Sequence, residues 1–180
     1  PYEEAAALPT AGFEALHYLR SANIQPGDKV LIIGAGGSIG TFCVQLARHF
    51  GAEVTGVDST DKLEMLRSLD AEYVIDYTQG DYTKTEETYD LIIDVVGKRG
   101  VLRRMKLLKP GGVYFLAYAR LIDILLGLWV SLTSKKKLKV EAASQKKEDL
   151  VYLAELMESG KLKTVIGKSF PLEQVPEAHR

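Results

Sequence analysis

The stretch KVLIIGAGGSIGTFCVQLARHFGAEVTGVD, Lys29 to Asp58, constrains the chain more than any other part of it. An apolar run stops at Gly34, Gly36, Gly37 and Gly40, a helical pattern follows, and a second apolar run ends on Asp58. Glycines between a strand and a helix remove the side chains that would keep a ligand from the backbone. The helix start then offers unpaired N–H groups and the positive end of its dipole, which together favour a diphosphate. The spacing is not the strict G-x-G-x-x-G, because Ile39 stands where a count from Gly34 needs glycine. The fit is Ala35-x-Gly37-x-x-Gly40, with Asp58 about 20 residues on, at the place of a ribose-binding acid. Gly36, Ser38 and Ile39 complete the turn. No Gly-Lys-Ser/Thr follows, which excludes a Walker A loop.

The rest of the chain alternates strand and helix patterns. YEEAAALPTAGFEALHYLRSA reads as two helical pieces broken at Pro9, and Ser38–Phe50 as a helix. EVTGV, YVI, YDLIIDVVG, VYFLA and KLKVEAA read as further strands. STDKLEMLRSL is the second crossover helix, with capping-box spacing between Asp61 and Glu64. Arg99–Leu108 reads as a helix stopped by KPGG, and KKEDLVYLAELMESG as an amphipathic helix with Leu150, Leu153, Leu156 and Met157 on one side. Such alternation implies an α/β fold: a doubly wound parallel sheet of the Rossmann type in three layers, with strand order 3-2-1-4-5-6.

The 180 residues suffice for one domain, and the net charge of −1 gives no global field for nucleic acid or an anionic membrane. Lys135, Lys136, Lys137 and Lys139 read as a solvated turn before a strand. The most apolar segment, 121–132 with Trp129, is too short to span a bilayer and carries Asp123. It reads equally as a core helix or as an exposed apolar surface. The single cysteine, Cys43, fits a reducing compartment, the cytoplasm. His17, His49 and His179 lie far apart and read as packing or surface residues, so no metal site is expected. Two other uses suit the same glycine turn: an S-adenosylmethionine-dependent methyltransferase, and a non-enzymatic dinucleotide-sensing domain.

PTAGFEALHYL, GDKVLIIGAGGSIGTFCVQLA, GAEVTGVDSTDKLEMLRSLDAEYVIDYT, YDLIIDVVG, LKPGGVYFL and ESGKLKTVIGKSFPLEQVPEAHR together resemble the cofactor-binding half of medium-chain dehydrogenase/reductases. The nearest branch is the zinc-independent, quinone oxidoreductase-like one. The resemblance implies hydride transfer from NAD(P)H to a quinone, enone or similar carbonyl compound. It also implies that residues 1–180 form one NAD(P)-binding domain, without the family's preceding barrel-like domain and the closing return strand. No zinc is implied, since EEAAALPTAG lacks the cysteine that zinc-dependent relatives place there.

By the same resemblance, Val96 and Gly97 lie beside the nicotinamide-side ribose, Leu116 and Ala117 flank the nicotinamide, and Thr10 approaches the ring. Lys62 and Tyr77 match positions that hold the 2′-phosphate of NADPH, with Ser59 close by, whereas Asp58 favours the unphosphorylated ribose of NADH. Both cofactors stay open. Val95 and Val96 equally suit a core, Asp94 a turn-stabilising acid, and Ser59 and Thr60 helix capping. Tyr118 is a candidate proton donor that shares a strand face with Tyr114 by its spacing, and no catalytic residue is assigned. Pairing of the sixth strand with its copy is one route to a homodimer.

Overall fold

The computed structural model describes residues 2–97, 100–143 and 145–178, without the side chain of Leu128. Six parallel strands form one sheet: β1 (Lys29–Ile33), β2 (Glu53–Asp58), β3 (Tyr73–Asp76), β4 (Tyr89–Asp94), β5 (Leu108–Leu116) and β6 (Lys137–Lys139). Their order is β3-β2-β1-β4-β5-β6, as the pattern of the sequence implies. The order reverses between β1 and β4, where Val30 to Ile33 pair with Leu91 to Asp94. That reversal is where an open α/β sheet has a crevice at its carboxyl edge.

Among the described residues eight α-helices accompany the sheet: α1 (Tyr2–Ala7), α2 (Pro9–Ser21), α3 (Ser38–His49), α4 (Leu63–Ser68), α5 (Val101–Met105), α6 (Leu121–Thr133), α7 (Lys147–Glu158) and α8 (Val175–Ala178). Side chains alternate across each strand, so one apolar run feeds two cores. Val30, Ile32, Val54 and Phe115 pack with Leu16, Leu46, Leu66 and Leu153 on the face of α2, α3, α4 and α7. Leu31, Ile33, Ile92 and Leu116 pack with Val101 and Met105 of α5 on the other face.

Several local expectations need correction. Thr60–Lys62 is a 3-10 turn, and no side chain caps it or α4, so the Asp61–Glu64 capping box does not form. Asp76 takes the Thr60 hydroxyl instead. The helix expected over Arg99–Leu108 is only Val101–Met105, and Arg99 lies outside the described residues. KPGG belongs to β5, whose register with β4 shifts between Tyr89 and Leu91. Leu150 is exposed, whereas Leu153 and Leu156 are buried. Two of the four lysines at 135–139 are engaged rather than merely solvated. Lys136 donates to the Met105 carbonyl at 2.8 Å, at the end of α5, and Lys139 reaches Ser21. On α6, Leu121, Leu125, Trp129 and Leu132 are all exposed, which decides against a core helix. Among the described residues no helix is long and apolar enough to cross a membrane.

A close approach of helix to backbone lies where α3 meets the turn after β1. A Cβ on Gly40 would stand 2.2 Å from the Gly34 carbonyl oxygen and 2.6 Å from that of Ala35, both backbone atoms. On Gly37 it would meet only the Gly34 oxygen, at 3.4 Å. Gly40→Ala is therefore expected to cost about 3 kcal/mol through overpacking, and Gly37→Ala less than about 1. Urea denaturation of both variants checks the contrast.

Candidate functional site

A cleft of about 500 Å³ opens at the carboxyl edge of β1, β2 and β4. Gly34 and Gly37 form its base, Val57, Val95 and Val96 part of its apolar wall, and Asp58, Lys62 and Tyr77 one rim. Gly34 turns the chain at φ +82°, where an added Cβ would lie 2.6 Å from a Val96 methyl. Gly37 precedes α3 in an extended conformation and supplies no side-chain cap. The first-turn N–H groups of α3 therefore have neither an intrahelical acceptor nor a capping side chain. An uncapped twelve-residue helix facing a glycine-lined cleft matches what a diphosphate requires.

Asp58 ends β2 almost fully buried. One carboxylate oxygen accepts the Gly36 N–H at 2.7 Å and the other accepts the Ser59 N–H at 2.8 Å. Lys62 stands 3.8 Å from it, with its stem over Gly36, where a Cβ would meet Lys62 Cδ at 2.5 Å. Gly36 is thus needed so that acid and lysine can close against the turn. Ser59 adds a weaker hydroxyl contact to Asp58. Tyr77 is half exposed, and its N–H donates to the Asp58 carbonyl.

The other expected site residues are less gathered. Ala35 is buried under Gly56. Ser38 is exposed and Ile39 half-buried on the first turn of α3. Gly97 sits beyond β4 at φ +65°, against the Tyr118 carbonyl. Leu116 is buried in the second core, so it turns its side chain away from the carboxyl edge. Ala117 follows it and donates its N–H to the backbone carbonyl of Asp94. Thr10 is exposed near the start of α2 and does not line the cleft. Tyr118 lies beyond the end of β5 and is exposed, while Tyr114 is buried within it, so the shared strand face does not extend to Tyr118.

The sequence reading missed a buried charged cluster at the cleft. Asp94, at the end of β4, is completely buried. One oxygen accepts the Val96 and Gly97 N–H groups, each at 3.0 Å, so Asp94 does stabilise that turn. The other accepts the Tyr114 hydroxyl at 2.6 Å and pairs with Arg104 at 2.9 Å. Arg104 also donates from Nε to the Tyr114 oxygen at 2.9 Å. Burial pushes the Tyr114 phenol well above its ordinary range, with the Asp94 charge adding to the effect. Burial opposes the Arg104 charge, yet Tyr114 and Asp94 together hold its pKa above the usual value. A carboxylate ending an apolar strand covered on both faces needs a cation, and that was the signal available for finding Arg104.

Of the histidines read as packing or surface residues, His17 packs edge-on to Phe115 and lies 3.3 Å from Glu141, and His49 is exposed, against Phe50. His179 is outside the described residues. Among the described residues no three His, Cys, Asp or Glu side chains are grouped to hold a metal ion.

Sheet order, crevice and glycine turn define a nucleotide-binding α/β domain of the doubly wound class. A family model described as zinc-binding dehydrogenase matches residues 69–180, and the chain belongs to that family, in its medium-chain, quinone oxidoreductase-like part. A mitochondrial NAD(P)H oxidoreductase of Bos taurus is 32% identical over 98% of this chain and 52% of its own. A chloroplastic quinone oxidoreductase of Triphysaria versicolor is 33% identical over 97% of this chain and 56% of its own. The structure of the quinone oxidoreductase from Coxiella burnetii superposes with a TM-score of 0.88 at 30% identity, covering 97% of this chain and 55% of that one. The chain thus spans about half the length of these relatives.

Removing the Arg104 guanidinium strands Asp94 as a buried, uncompensated charge. Arg104→Ala is expected to destabilise the fold by about 3–5 kcal/mol. Tyr114→Phe removes one hydroxyl and should cost only about 1.5–3 kcal/mol. Thermal and chemical denaturation of the two variants gives the comparison.

Proposed function

We propose that this chain is the NAD(P)-binding domain of a zinc-independent reductase that passes hydride to a quinone, enone or related activated carbonyl compound. The carrying observation is the uncapped start of α3 behind the glycine turn, with Asp58, Lys62 and Tyr77 on one rim of the same cleft. The printed names of the relatives, NAD(P)H oxidoreductase and quinone oxidoreductase, support the chemistry. Buried, unpaired Cys43 supports a reducing compartment, and we propose the cytoplasm, although two relatives are named as organellar. A homodimer through the edge of β6 is the assembly proposed.

When bound, the nicotinamide dinucleotide supplies the hydride. The chain's own residues hold and orient it. The N–H groups at the start of α3 take the diphosphate, and the absence of side chains at Gly36 and Gly37 lets it approach. Asp58 accepts from ribose hydroxyls, while Lys62, Ser59 and Tyr77 are placed for a 2′-phosphate. Val57, Val95 and Val96 give the cleft an apolar wall that sheds water.

Gly37→Asp separates binding from folding. The Gly37 backbone, at φ −84° and ψ 173°, suits an ordinary N-cap residue, and aspartate is among the best of them. The variant is expected to match or exceed the parent in stability by a few tenths of a kcal/mol while losing dinucleotide affinity at least about a hundredfold. Calorimetric titration with NADPH, NADH and S-adenosylmethionine measures this, and unchanged NAD(P)H affinity would reject the site. Binding of S-adenosylmethionine alone by the parent chain would favour the methyltransferase instead. Asp58→Asn removes the charge facing a 2′-phosphate and should raise the ratio of NADPH to NADH affinity about tenfold. Lys62→Ala should lower that ratio.

A further inference from the structure

The crevice is built around two contacts that cross the switch in strand order. Gly34, after β1, faces the methyls of Val95 and Val96, and an added Cβ would clash with both. Gly97, at φ +65°, faces the carbonyl and Cβ of Tyr118 after β5. The segment Val95–Gly97 is therefore a floor spanning from the glycine turn to the end of β5. If Asp58, Lys62 and Tyr77 take the adenosine end over β2, the other half of a dinucleotide has to cross this floor.

The backbone of the floor is held from beneath. Asp94 accepts both the Val96 and Gly97 N–H groups with one oxygen. Its other oxygen is held by Tyr114 from β5 and Arg104 from α5, which are bonded to each other. All three side chains are buried. A buried charged cluster of this kind is seldom a gain in stability over an apolar one of the same volume. What it adds is direction: three elements converge on one carboxylate, and that carboxylate orients two amides at the cleft.

We propose that Asp94, Arg104 and Tyr114 are positioning residues for the nicotinamide half of the dinucleotide, acting through the Val96–Gly97 backbone, with Arg104 the one of the three that also lines the cleft. This rests on the nucleotide-binding reading above. The triad then governs whether a whole dinucleotide gains anything over its adenosine diphosphate fragment.

The test compares NADPH, NADH and ADP by calorimetry on the parent protein, Tyr114→Phe and Arg104→Lys. Tyr114→Phe is expected to weaken the preferred dinucleotide about five- to tenfold, the loss of about one hydrogen bond, with ADP changed less than about twofold. Arg104→Lys keeps the charge but not the fork, and should act in the same direction. Equal weakening of ADP and dinucleotide, or no weakening of either in a folded variant, would overturn the positioning role. Failure of the parent to bind any of the three ligands would instead remove the nucleotide reading, and the triad's role with it. Amide hydrogen exchange on the parent needs no folded variant. NADPH or NADH should slow exchange at Val96 and Gly97 while ADP does not, and slowing by both, or by neither, would reject the proposal.

Discussion

The carboxyl edge of the sheet depends on one close approach, that of α3 to the turn leaving β1. With no side chain at Gly40, the helix sits against the carbonyls of Gly34 and Ala35. This seats the helix start at the crevice between β1 and β4 and points its unpaired N–H groups where a ligand can reach them. A methyl there would push the helix away from backbone atoms that cannot yield. The positions of the dipole, of Gly37 and of the cleft base all follow from that contact.

Much of this was legible because several weak signals agreed. Buried parallel strands read as apolar runs, glycine and proline marked their ends, and the alternation left a single plausible topology. The same logic failed where tertiary partners overrode local pattern. Arg99–Leu108 has a helical composition, yet β4 recruits Leu108 and the KPGG turn into β5. Asp61 and Glu64 have capping-box spacing, but a 3-10 turn and the Asp76–Thr60 contact set that segment instead. On α6 periodicity could not choose between core and surface, because the helix is apolar on nearly every side.

At the cleft, spacing marked the glycine turn and Asp58, while Lys62 and Tyr77 were singled out through the resemblance; the structure gathers all of them because each lies at or just beyond the end of a strand. The side chain of Leu116 turns into the core and Thr10 stands outside the cleft, placements that neither spacing nor the resemblance specified. Arg104 was illegible from local pattern. It lies on a short helix of mixed character, and only its partner's burial makes it necessary.

Asp58 and Asp94 illustrate why pattern alone could not rank the acids. Each closes an apolar strand, each precedes a turn, and each is buried. A carboxylate has about four acceptor sites. Those of Asp94 are all taken, by two amides, a phenol and a guanidinium. Asp58 spends its sites on two amides and one longer hydroxyl contact, with its lysine 3.8 Å away. One acid is therefore saturated and can act only on the chain that surrounds it. Among the described residues the other has an acceptor site without a hydrogen bond, and it lines the cleft, so it can act on a ligand. Under the proposed function, the division between holding the floor and reading the ribose is a count of unused lone pairs, a quantity that exists only once the chain has folded.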